Sequence, residues 1–113
     1  MSLPWIRLDT SIADHPKVLL LISEKQHRAV LAYVMGLCYS GRHELDGFLP
    51  ERCLPIIHGT RADAQALVDA GMWELVPGGW RVNSWEEFQI SSDETKRRRQ
   101  RAQEAARKRW SEP

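Results

Sequence analysis

The stretch from Gly59 to Asn83 constrains the fold more than any other, because it sets a helix signal directly ahead of a hairpin signal. Thr60 is a good N-cap, and Asp63 three residues on favours a helix N-terminus. Ala64, Leu67 and Val68 recur at i, i+3 and i+4 and predict one buried face. Arg61, Gln65 and Asp69 recur every four residues and form a separate polar stripe. Gly71 suits the residue just past the helix end. Two short apolar runs follow, Trp73–Val76 and Trp80–Val82, with Pro77-Gly78-Gly79 between them. Those glycines can supply the positive φ that a tight turn requires. A helix running straight into a hairpin is the second half of a winged helix-turn-helix.

The preceding residues predict the rest of such a unit. Trp5-Ile6-Arg7-Leu8 alternates apolar and polar side chains and is expected as a third strand beside the hairpin. Asp14 or His15 can cap a helix with Pro16 in its first turn. Val18–Ile22 is expected to lie mostly buried in that helix. Ser23 and Gln26 have capping-box spacing and predict the next helix start. Val30, Tyr33, Val34, Leu37 and Cys38 then predict the central core face, with Gly41 ending the helix. Asp46-Gly47 has turn chemistry. Phe48 and Leu49 fit either a short strand or a packing anchor. Pro50 is expected to open a short helix, broken by Pro55, that ends at His58-Gly59. Ser84 and Glu87 repeat the capping spacing, so Trp85–Gln89 is expected to start a helical turn, with Phe88 packing back beside Trp85.

The chain has 113 residues, room for one domain, and 42% hydrophobic residues, enough for a core. No apolar run nears a membrane span, and the start lacks a signal-peptide pattern, so no membrane partner and a cytoplasmic location are expected. Cys38 and Cys53 are expected as buried free thiols of a reducing compartment.

The formal net charge of +1 conceals a split. Residues 1–92 hold eight Lys or Arg and eleven Asp or Glu. Residues 93–113 hold four acids and eight cations: Lys96, Arg97, Arg98, Arg99, Arg101, Arg107, Lys108 and Arg109. From Ser91 onward the residues are strong helix formers with no continuous apolar stripe. The chain therefore divides into an α+β winged helix-turn-helix of residues 1–90, mostly helical with a small antiparallel sheet, and a basic helical tail of residues 91–113. An acidic body with a basic tail points to a polyanionic partner.

Double-stranded DNA is the partner these features fit. In a winged helix-turn-helix the second helix enters the major groove and reads base edges. Arg61 and Gln65 are suitable readers, Thr60 and the helix start can hold phosphate, and Arg81 lies on the wing. The tail cations would supply sequence-independent phosphate affinity. Trp5, Trp73, Trp80 and Trp85 lie beside apolar neighbours and are expected as core anchors, whereas Trp110 has no local core. Cys38-x₄-His43 and Cys53-x₄-His58 repeat one spacing, but structural zinc sites usually close with a tighter knuckle. No catalytic pairing, phosphate loop, metal site or cofactor site stands out. A non-enzymatic role is expected.

The opening Trp5-Ile6-Arg7-Leu8-Asp9-Thr10 ahead of a Pro-Lys helix resembles the N-terminal winged-helix domain of phage replisome-organiser proteins. Asp46-Gly47-Phe48-Leu49-Pro50 is similar to their entry into the helix-turn-helix. Val82-Asn83-Ser84-Trp85-Glu86-Glu87-Phe88-Gln89 is similar to their Asn-Trp-Glu-Lys-His-Gln segment, with Ser84 inserted and Phe88 in place of His. The small helix-turn-helix proteins of actinobacterial phages look closer still, since their Ala/Arg-rich tails end in Arg-Trp, as Arg109-Trp110 does here. The resemblance spans residues 4–110. It implies DNA binding in replication initiation or gene control, with Thr60–Asp69 as recognition helix and Pro77–Arg81 as wing. The chain stops before the helicase-loading domain of full replisome organisers, so a DNA-binding or regulatory role is expected rather than loading. The alternative is an interaction module that binds or inhibits a host or phage replication or transcription protein. Pairing into a homodimer is left open.

Overall fold

The computed structural model describes residues 3–85 and 92–111. A 3₁₀ turn at Thr10–Asp14 leads into α1 (Pro16–Ser23), then α2 (His27–Arg42) and β1 (Phe48–Pro50). A second 3₁₀ turn (Glu51–Cys53) precedes α3 (Arg61–Asp69), β2 (Trp73–Val76) and β3 (Gly79–Val82). The C-terminal helix α4 spans Ser92–Ser111. The class is α+β, with a three-stranded antiparallel sheet in the order β1-β3-β2. This order of elements is compatible with a winged-helix-like layout.

The predicted helix-to-hairpin junction is present. Thr60 and Asp63 form a reciprocal capping box, and Gly71 adopts φ +76° just past the C-cap Ala70. Ala64 and Leu67 are buried, with Val68 half-buried. β2 and β3 pair in the register Trp73↔Val82 to Val76↔Gly79, leaving Pro77-Gly78 as the turn. Gly78 supplies the positive φ, whereas Gly79 is needed for closeness: a Cβ there would collide with the Leu49 carbonyl oxygen across the β1–β3 pair.

The third strand is Phe48–Pro50 rather than Trp5–Leu8. Leu49 lies opposite Trp80 and Pro50 opposite Gly79, and residues 5–8 have no regular structure. The turn at Asp46 and Gly47, both with positive φ, aims β1 at β3. Trp5 is 61% exposed, so it is not the core anchor expected, whereas Trp73, Trp80 and Trp85 are buried. Pro50 closes β1 instead of opening a helix. The segment up to His58 is the two-part turn expected from Pro55, with His58 at φ 61°.

The first two helices differ from expectation in which faces they bury. In α1 only Val18 and Leu21 are buried, while Leu19 and Leu20 are each 51% exposed and Ile22 is also exposed. One α-helical stripe covers two of five consecutive apolar residues. Ser23 is the last residue of α1, and its hydroxyl donates to the Leu20 carbonyl, so it does not cap α2. Lys25, at φ 59°, makes the break. The core face of α2 is Ala29, Ala32, Gly36, Leu37 and Ser40, and Val30, Tyr33 and Val34 lie half-buried beside it. Small residues win this face because β1 and β2 come close: a Cβ on Gly36 would sit 3.2 Å from both Leu49 and Trp73. Gly41 lies within the helix, close against Ile6, and the helix runs on to Arg42.

Both cysteines are free, Cys53 buried and Cys38 exposed, so the second expected buried thiol is on the surface. Burial pushes the Cys53 thiol up to about 11. No helix among the described residues is long and apolar enough to cross a membrane. Beyond Trp85, the expected turn to Gln89 with Glu87 and Phe88, and the boundary between residues 90 and 91, lie outside the described residues.

Candidate nucleic-acid interface

The outward face of α3 carries Arg61, Gln65 and Asp69, all exposed as the four-residue spacing requires. Each polar group on this face already has a partner within the chain. Arg61 Nη1 donates to Glu51 Oε1 at 3.4 Å, an exposed ion pair of small net worth. Gln65 Nε2 donates to Asp69 Oδ1 at 2.8 Å. Thr60 is committed to the cap: its hydroxyl accepts from the Asp63 amide at 3.2 Å and donates to Asp63 Oδ2 at 3.0 Å. The same carboxylate oxygen accepts the Thr60 backbone N–H at 2.8 Å.

Asp63 is buried, with the Arg28 side chain 3.8 Å from its carboxylate. Its charge is thus turned away from the outer face of α3, and Asp69 is the carboxylate that α3 presents outward.

The base of the hairpin is held by residues that spacing alone does not reveal. The Gly71 carbonyl accepts from Lys17 Nζ at 3.0 Å and from Asn83 Nδ2 at 2.7 Å. The Asn83 backbone N–H donates to the Met72 carbonyl. Together these bonds tie the α3–β2 junction to the end of β3 and to α1. Asn83 stands inside a motif legible in the sequence, but nothing local to Lys17 signals a partner 54 positions away.

Arg81 is exposed on β3, opposite Glu74, and its guanidinium donates to the Asp46 carbonyl at 3.4 Å. It lies mid-strand and not at the turn, so the two-residue tip Pro77-Gly78 carries no cation.

The strongest positive feature is α4. Arg97, Arg101, Arg107, Lys108 and Arg109 are exposed along it. Arg97, Arg101 and Lys108 stand at i, i+4 and i+11 and share one face over about 16 Å, with Glu104 beside them. Lys96, Arg98 and Arg99 lie on the same helix, but their side chains, like that of Trp110, are outside the described residues. The predicted contact residues thus fall on three separate elements: Thr60, Arg61 and Gln65 on α3 and its cap, Arg81 on the sheet, and the rest on α4.

Sequence reasoning did not find Glu51 or Arg28, the charge partners of α3. Both come from segments that meet α3 only in the folded chain. Among the described residues no three His, Cys, Asp or Glu side chains are grouped so as to hold a metal ion.

Comparisons with protein-family models, with curated proteins and with solved structures give no match.

Proposed function

We propose that the chain is a non-enzymatic, phage-type DNA-binding protein with a winged-helix fold, acting in replication initiation or gene control. In this reading α4 holds the phosphates of double-stranded DNA and α3 is the recognition helix. The observation that carries it is the segregation of charge: exposed arginines and a lysine line α4, on a chain whose remaining part is acidic. Such an array neutralises phosphates and releases counterions without reading sequence. Arg61 and Gln65 come second, since each must exchange an internal partner for a base edge. That exchange costs little, because both pairs are exposed to water.

A second reading, a module that binds a replication or transcription protein, is favoured by one feature, the exposed Leu20 that shares the α1–α3 groove with Asp69. Equilibrium binding of a labelled duplex by the full chain across a salt series separates the two. The DNA reading predicts that log K falls linearly with log salt, by about 0.9 per neutralised phosphate. Absence of binding at low salt overturns it.

A further inference from the structure

Between α1 and α3 runs an open groove of about 500 Å³. Leu20 from α1 and Ala62 and Ala66 from α3 form its apolar side, and Glu24, Gln65 and Asp69 its polar side. No Lys, Arg or His lines it among the described residues. Leu20 and Ala62 are both exposed, so the described residues leave the groove open. Asp69 gives one carboxylate oxygen to Gln65, and a carboxylate has acceptor capacity on both oxygens.

The same sequence contains a helix complementary to that groove. On α4, Arg101, Ala105 and Arg109 stand at i, i+4 and i+8, with Ala102 alongside, and all four are exposed. The strip is about 12 Å long, the same as Ala62 to Ala70 along α3. Its two alanines allow a close helix–helix approach, and its two arginines bracket them as the acids bracket the groove. Arg is the cation suited to two-pronged carboxylate pairing.

We infer that this groove receives α4 of a second copy of the chain. The exchange is reciprocal: each copy offers one groove and one helix, so a two-fold dimer satisfies both at once. Arg101 and Arg109 pair with Asp69 and Glu24 of the other copy, and Leu20 is covered by the alanine face. The inference stands without DNA binding, but Gln65, Arg101 and Arg109 serve in both states, so DNA and a second copy compete for them; dimer formation is salt-sensitive.

Charge reversal of the full chain tests it. Sedimentation equilibrium in dilute salt, about 50 mM, is expected to give a dimer that weakens at least tenfold by about 300 mM. Two variants, one carrying Glu24→Lys and Asp69→Lys and the other Arg101→Glu and Arg109→Glu, are each expected to be monomeric, with circular dichroism unchanged because all four positions are exposed. An equimolar mixture of the two restores a dimer, since each groove then faces a helix of opposite charge. A wild-type chain that stays monomeric at about 100 µM in dilute salt overturns the inference. So does a dimer that survives either charge reversal, or a mixture that fails to associate.

Discussion

Gln65 Nε2 donates to Asp69 Oδ1 at 2.8 Å, one turn along the outer face of α3. The residue best suited to read an adenine edge is thereby tied to the carboxylate least welcome beside phosphate. The polar groups on the outer face of α3 all have partners within the chain, and half of the chain's 16 Lys and Arg residues lie on α4.

Replacing Asp69 by Asn keeps an acceptor for Gln65 and removes the negative charge. If α3 faces DNA, duplex affinity of Asp69→Asn rises about twofold to fivefold in dilute salt and converges on wild type as salt screens the charge. Anisotropy titrations at two salt concentrations check this. An unchanged affinity in dilute salt places α3 away from the duplex.

The capping box ties Thr60 to Asp63 through three hydrogen bonds. Thr60→Ala removes the hydroxyl that takes part in two of them, and a cap of this kind contributes about 1 kcal/mol. Thermal unfolding followed by circular dichroism is expected to show a loss of about 4–8 °C. Thr60→Ser keeps the cap and should lose less than half as much.

Gly79 is required at the β1–β3 crossing, where any side chain meets the Leu49 carbonyl. Gly79→Ala must break the Leu49↔Trp80 register, which is built on two buried residues. The expected outcome is loss of cooperative unfolding or destabilisation of about 3 kcal/mol or more. Gly78→Ala, at φ +83° in the open turn, costs less, about 1 kcal/mol.

The two thiols differ in reactivity. Iodoacetamide at about pH 8 is expected to label exposed Cys38 and to leave Cys53 unmodified until the chain unfolds, because the Cys53 thiol is both buried and held up to about 11. The sign for stability follows. In the unfolded chain this thiol ionises at an ordinary value, below that of the folded state, so rising pH favours the unfolded chain. Stability therefore falls between about pH 9 and pH 11, and Cys53→Ala should lose less than wild type over that window. Mass spectrometry of the labelled chain and denaturant titrations at the two pH values check the two statements.

Where local chemistry decides structure, the sequence is a good guide. Thr60 with Asp63, Gly71, and Pro77-Gly78 each act within a few residues of themselves, and α3 and the hairpin form as their spacing predicts. The third strand is not local. Trp5–Leu8 alternates as a strand does, yet the free edge of β3 goes to Phe48–Pro50, because the turn at Asp46-Gly47 delivers it there and Gly79 admits its backbone. The core face of α2 is hidden for a related reason. Its small residues, Ala29, Ala32, Gly36 and Ser40, leave room for neighbours distant in sequence, the Leu49 and Trp73 side chains at Gly36 and the Gly47 and Phe48 backbone at Ser40, while the larger Val30 and Tyr33 flank that face half-buried. At the candidate site, the exposure of Arg61, Gln65 and Asp69 follows from helical period alone. The partner of Arg61 does not, since Glu51 reaches it through the turn between β1 and α3.

In the proposed function α4 supplies the affinity for DNA. The most direct measurement is the salt slope of duplex binding for the full chain and for a variant with Arg97, Arg98 and Arg99 all changed to Ala. Alanine favours the helix, so the variant keeps α4. The expected result is weaker binding at every salt concentration and a slope shallower by about 0.9 for each phosphate that is no longer neutralised. A variant with the wild-type slope and affinity would contradict it.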